Sequence, residues 1–197
     1  MGLILKETAS NYEPVSEGLH PAICVSVIDL GVQYSKLYNK EQPKVMLTWE
    51  ISDEGTNGED MTKTISKEYT ASFNEKSTLR KNLKSWRGRE FTAEELEAFD
   101  LRKVLGAACQ LQVIHNKNGD RTYANIESIV SFPRGMKKPE AKAPLVHLDL
   151  DDPGWRSVLV TLPDWIQDKI LNSKGMEKQE DSGFEEDRPF RDEEMPV

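Results

Sequence analysis

The chain has 197 residues, 37% of them hydrophobic, with 26 Lys and Arg against 34 Asp and Glu. That length supports one sound core with appendages and excludes two ordinary enzyme domains. No apolar run approaches the ~20 residues that span a bilayer, and residues 1–17 show Leu3, Ile4 and Leu5 but no cleavable signal pattern, so a cytoplasmic protein without membrane partners is expected.

Leu19 to Leu30 alternates Ile23, Val25 and Val27 with Cys24 and Ser26, which predicts a first strand, followed by a long connection over Gly31–Pro43. Lys44–Ser52 predicts a second strand with Val45, Leu47, Trp49 and Ile51 on the core face and Met46, Thr48 and Glu50 on the other. Asp53–Asp60 is a polar turn into a third strand, Met61–Phe73, whose odd positions Lys63, Ile65, Lys67 and Tyr69 share one side that reads as wet and basic. Leu79, Leu83 and Trp86 then fall on one helical stripe ended by Gly88. Thr92 with Glu95 forms a capping box, flanked by Phe91 and Leu96 at staple positions, for a second short helix closed by Leu105 and Gly106. Ala107–Asn116 and Thr122–Phe132 are two more strands around Lys117-Asn118-Gly119-Asp120. A Lys/Pro/Ala linker, 134–144, leads to an extension over 145–175 in which Pro163, Trp165, Ile166 and Ile170 predict a short helix packing back on the body. Residues 176–197 carry too much charge and too little apolar surface to fold alone, and are expected to be a disordered acidic tail.

The order β-β-β-α-β-β is that of a five-stranded OB-fold barrel over residues 1–133, a mainly β fold that binds oligonucleotides along strands two and three and the flanking loops. The residue types suit a single strand. Tyr34, Lys36, Tyr38 and Lys40 interleave rings and cations in the first loop, Lys63, Lys67 and Tyr69 stand on strand three, and Lys117, Arg121 and Tyr123, with His115, frame the last hairpin. Rings stack on bases of any sequence and cations hold phosphates, provided that all converge on one concave surface. Arg80, Lys84, Arg87 and Arg89 fit either a solvated helix face or an extension of that path.

The charge distribution agrees. The last 22 residues hold nine carboxylates against three cations, which leaves the preceding 175 with net −2, while residues 61–91 carry eight cations against three Glu. Within the tail, Asp187, Pro189, Phe190, Glu193, Glu194, Met195 and Val197 present an acidic, apolar-tipped peptide to a basic partner pocket; the plainer reading is a solubilising terminus. Cys24 and Cys109 read as small buried hydrophobes with no zinc spacing. His147, Asp149 and Asp151 alternate on one side of an extended stretch, but Asp152-Pro153-Gly154 signals a turn, so neither a metal nor another cofactor is expected, and no nucleophile set or phosphate loop points to an enzyme.

Gly18-Leu19-His20-Pro21-Ala22-Ile23-Cys24-Val25-Ser26-Val27-Ile28-Asp29-Leu30-Gly31, the stretch Lys76–Leu83 with Trp86-Arg87-Gly88-Arg89, and Leu162-Pro163-Asp164-Trp165-Ile166-Gln167-Asp168-Lys169-Ile170 resemble bacteriophage-encoded single-stranded-DNA-binding proteins of replication and recombination modules, over most of residues 15–172. The resemblance implies an OB-fold, sequence-independent cover of single-stranded DNA in an infected bacterial cell, and no enzyme activity. The tail is similar to the acidic termini of bacterial single-strand binders, which recruit replication and recombination proteins through a terminal Pro-Phe. Here Pro189-Phe190 is followed by seven more residues ending in Val197, so a phage-encoded reader is an equal expectation. The alternative class is an interaction adaptor, a small β-barrel that binds protein and no nucleic acid.

Overall fold

The computed structural model describes residues 13–36, 38–54, 60–119 and 121–176. They form strands β1 (Gly18–Ser35), β2 (Lys40–Glu54) and β3 (Asp60–Thr70), helices α1 (Thr78–Arg87) and α2 (Ala93–Glu97), strands β4 (Ala108–Asn118), β5 (Arg121–Ser131) and β6 (Val146–Leu148), and helices α3 (Trp155–Leu159) and α4 (Asp164–Leu171). Five strands make an antiparallel sheet in the order β3-β2-β1-β4-β5, and β6 adds to β1 in parallel. The acidic tail residues Asp187, Pro189, Phe190, Glu193, Glu194, Met195 and Val197 lie outside the described residues.

β1 organises the sheet because different parts of it hold different neighbours. Residues 18–23 pair with β4, and residues 22–35 pair with β2. Register shifts at Cys24/Ser26 and Asp29/Val32 bend the strand between these grips. The second shift uses Gly31 at φ 68, where a Cβ would come within 2.5 Å of Ser173 Oγ; only glycine admits the end of the C-terminal extension at that point. The bend also explains why Gly31–Pro43 is no long connection. The two strands pair on to Ser35 and Lys40, and Asn39, in the left-handed region at φ 49, takes the reversal.

The strand periodicity sorts the two faces. The inner face packs Cys24, Val27, Val45, Leu47, Trp49, Ile51, Leu111 and Ile129 around the α1 stripe of Leu79, Leu83 and Trp86. Trp86 donates to the Ala108 carbonyl at 2.9 Å and its ring sits 5.8 Å from that of Trp49, so both indoles belong to the core as their spacing predicts. Ser77 caps α1 by accepting from the Arg80 amide, and Gly88 ends it in the left-handed region. The Thr92–Glu95 capping box forms, but α2 stops at Glu97 and a separate 3-10 turn, Leu101–Val104, follows.

A second cluster lies on the outer face. Ile28, Leu30 and Met46 are covered by Leu148, Trp155, Leu159, Leu162, Ile166 and Ile170. Glu50, 4% exposed, accepts the backbone amides of Lys142 and Ala143, each at 2.8 Å. Two-residue alternation assigned Met46 and Glu50 to the other face correctly, but the extension dries that face. β6 and α3 are three and five residues long, too short for any periodicity to announce them.

Candidate nucleic-acid interface

Among the described residues, the β1–β2 tip is the most exposed aromatic site in the first half of the chain. Tyr34 and Tyr38 are 59% and 61% exposed, and Lys36 and Lys40 are exposed between and beside them. The Tyr34 hydroxyl donates to Asn39 Oδ1 across the tip, which fixes the ring. Lys40 Nζ stands 6.0 Å from the Tyr38 ring centroid. Next to Tyr38 opens a cleft of about 260 Å³ lined by Gln42, Thr70, Ser72, Asn74, Lys76, Ser77 and Thr78, polar side chains gathered where β3 hands over to α1.

The second group occupies the β4–β5 tip. Lys117 faces Thr122, Arg121 faces Asn118, and Tyr123, 45% exposed, faces Asn116. Gly18 of β1 pairs with Val113, close to this tip, whereas Ser35 pairs with Lys40 at the other, so the two groups stand beyond opposite ends of β1. His115 is occupied elsewhere: its Nε2 bonds the Val15 carbonyl at 2.7 Å and its amide donates to Glu17, which ties down the segment leading into β1.

Three predicted residues do not belong to an open surface. Tyr69 is 3% exposed, its ring is in the core, and its hydroxyl accepts from Asn82 Nδ2 at 3.0 Å. Lys63 and Lys67 share Tyr69's inward side. Lys67 carries its stem across the interval between β3 and β5 and donates to the Ile126 carbonyl at 2.6 Å. Burial of that ammonium lowers its pKa, with Glu127 partly restoring it. Lys63 reaches the Pro14 carbonyl at 3.3 Å and Glu13 at 3.5 Å. The basic face expected on β3 is thus the inner one, and its lysines snorkel outward, Lys67 to β5 and Lys63 to the segment before β1. The wet face carries Thr62, Thr64, Ser66 and Glu68.

The α1 cations are engaged in their own neighbourhood. Arg80 donates to the Phe73 carbonyl, Lys84 pairs with Glu90, and Arg87 and Arg89 both pair with Glu95. Arg87 also lies over Phe91, 4.4 Å from its centroid. The Arg87 bond, then the Thr92 amide and Arg89, hold the Glu95 carboxyl down at about 2. Lys84 and Arg89 thus stand on an exposed face, whereas Arg87 is held largely buried against Phe91.

Among the described residues no group of three His, Cys, Asp or Glu is placed to hold a metal. Asp149 and Asp152 instead accept the amides of Asp151 and Gly154 in local turns, as the Asp-Pro-Gly signal predicts. Cys24 and Cys109 are free and buried, and burial pushes the Cys24 thiol up to about 12. No helix among the described residues is long and apolar enough to cross a membrane.

The short helix expected around Pro163, Trp165, Ile166 and Ile170 forms as α4. Only Ile166 and Ile170 of α4 are buried; Trp165, one position off that stripe, is 55% exposed. Strict helical phase carried the signal, since positions 165 and 166 cannot share one narrow face. The chain matches no protein-family model and no curated protein sequence.

Proposed function

We propose that the protein binds single-stranded DNA without sequence preference, on an OB-like sheet, as part of a phage replication or recombination module. The observation that carries this reading is the β1–β2 tip, where two exposed tyrosines alternate with two lysines beside a polar cleft. Flat rings supply sequence-tolerant stacking, lysines supply salt-dependent phosphate contact, and the cleft offers hydroxyl and amide groups to the backbone of the strand. The strand order supports it too. β3-β2-β1-β4-β5, with α1 between β3 and β4, is the strand order expected of an OB-fold whose sheet is open between β3 and β5.

The β4–β5 tip, with Lys117, Arg121 and Tyr123, is a second contact at the far end of β1. The two tips stand at opposite ends of β1 and not on the one concave surface expected from the sequence, so the reading rests on the β1–β2 tip, with the β4–β5 tip a separate contact along an extended polymer. The acidic segment 176–197 serves to recruit replication or recombination proteins and, by its charge, competes with DNA for the tip. Nothing in this reading requires catalysis.

Fluorescence-anisotropy titration of labelled single- and double-stranded oligonucleotides at two salt concentrations tests it. Binding preferential for single strands and weakened by salt is expected. Replacing Tyr34 and Tyr38 together by Ala removes two stacks of ~1–3 kcal/mol each, so affinity falls roughly thirtyfold or more while the melting temperature holds. Absence of oligonucleotide binding, with salt-insensitive capture of a protein partner instead, would establish the adaptor class.

A further inference from the structure

We infer that Trp165 is a base-stacking residue, standing beside the outer face of β2 and β3 on the path of a strand that leaves the β1–β2 tip. The inference rests on the single-strand-binding reading and adds a contact from the C-terminal extension.

The position follows from α4's attachments. Three residues beyond its C-terminal end, Lys174 makes a bridge with Val32 and pairs with Glu41, near the start of β2. Lys169, further back along the helix, pairs with Glu68, which lies opposite Met46. Going from Lys174 to Lys169 thus advances along the sheet from Glu41 to Met46. One more turn, about 6 Å, carries the helix onward to Trp165, toward the level of Ser66 and Thr64. Trp165 and Lys169 are four residues apart and share the flank of α4 that looks toward β3, while Ile166 and Ile170 face the core.

The surface alongside suits a polyanion. Its side chains are Thr48, Thr64 and Ser66, with Thr48 Oγ1 and Ser66 Oγ 2.9 Å apart. The two carboxylates in this part of the outer face, Glu50 and Glu68, are both answered by the extension. Glu50 accepts two amides of residues 142 and 143, and Glu68 is paired with Lys169. Thr70, in the wall of the tip cleft, stands at the end of the same row of outward β3 residues, so a strand leaving the cleft along β3 meets Glu68 with its lysine, then Ser66 and the indole. A flat ring exposed at that place can stack on a base of any identity.

The four tryptophans make a direct test. Trp49, Trp86 and Trp155 are buried, and Trp165 alone is exposed, so stacking on Trp165 is read by quenching of the full chain's tryptophan emission by unlabelled oligo(dT). Anisotropy of labelled oligo(dT) is followed in parallel. Quenching is expected in the parent chain and not in Trp165→Phe, and Trp165→Ala is expected to weaken binding on the order of five- to a hundredfold without lowering the melting temperature. Binding without quenching, quenching that survives in Trp165→Phe, or parent-like affinity in Trp165→Ala overturns the role of Trp165 and leaves the single-strand reading in place. Failure of oligo(dT) to bind at all overturns both.

Discussion

The inner side of β3 holds charge, in Lys63 and Lys67 flanking Ile65 and Tyr69, whereas its outer side holds hydroxyls and one paired carboxylate, in Thr62, Thr64, Ser66 and Glu68. A lysine at an inward position near a sheet edge has a long apolar stem to bury and a head that must find an acceptor. Lys67 finds the Ile126 carbonyl, and Lys63 finds the segment before β1. A strand lined with lysine on one side therefore identifies an edge as readily as it identifies a ligand surface. Here the exposed side of the strand is the one without cations.

The sharpest way to break this contrast is at Tyr69. If its ring is core, Tyr69→Ala removes a large buried side chain and destabilises the fold by about 3–5 kcal/mol, whereas Tyr69→Phe loses only the Asn82 bond, about 1 kcal/mol. Urea denaturation measures both. Tyr69→Phe is expected to bind oligonucleotide as the parent does, because its hydroxyl faces Asn82 rather than solvent. A Tyr69→Ala protein that melts like the parent would place the ring outside the core and restore the basic-face reading of β3.

Elements with enough repeats were legible in the sequence. Val45, Leu47, Trp49 and Ile51 gave β2, and Leu79, Leu83 and Trp86 gave α1, because a core face repeated over several turns or pleats leaves a period. What the sequence withheld was the depth of each face. Lys63 and Tyr69 have the same parity as Ile65, and parity says that they point together without saying where. The position of the C-terminal extension was also hidden: Glu50 is an ordinary exposed carboxylate by alternation and becomes buried only because residues 142 and 143, 92 and 93 positions away, donate their amides to it. Of the site, the β1–β2 tip was legible since interleaved Tyr and Lys in a turn have no core to enter. The separation of Lys117, Arg121 and Tyr123 from that tip was not legible, because the pairing of β1 with β2 at one end and with β4 at the other sets the two tips apart.

Lys67 and Ser66 are neighbours on opposite faces and sharpen the contrast at intermediate size. Lys67→Met keeps most of the stem and removes the donor, which leaves the Ile126 carbonyl without this bond. Loss of a partner for a buried acceptor costs about 1–3 kcal/mol, and relief of the lysine's desolvation brings the expected value toward the lower end, about 1 kcal/mol. Ser66→Ala, on the wet face, is expected within about 0.5 kcal/mol of the parent. Equal effects on stability from the two substitutions would mean that the two sides of β3 are alike. Oligonucleotide affinity should be unmoved in Lys67→Met, since its ammonium is already committed to β5.

The smallest effect is the pH dependence that Lys67 imposes. Burial lowers its pKa below the ordinary 10.5 in the folded chain. Between that lowered value and 10.5 the unfolded chain binds more protons than the folded one, so this group makes stability rise with pH across the interval. Tyr69 acts in the opposite sense. Burial raises its phenol above the ordinary 10.0, so the unfolded chain gives up its proton first and stability falls as pH climbs beyond that point. A single alkaline stability curve mixes the two, but subtracting the Lys67→Met curve from the parent's isolates the lysine. The parent's stability relative to Lys67→Met should rise as pH approaches 10.5, and it should level off above it, where lysine is neutral in both states. Urea midpoints taken through this range decide the matter: a difference that is flat with pH would mean that the Lys67 ammonium is as well solvated in the folded chain as in the unfolded one, and that the inner face of β3 is wet after all.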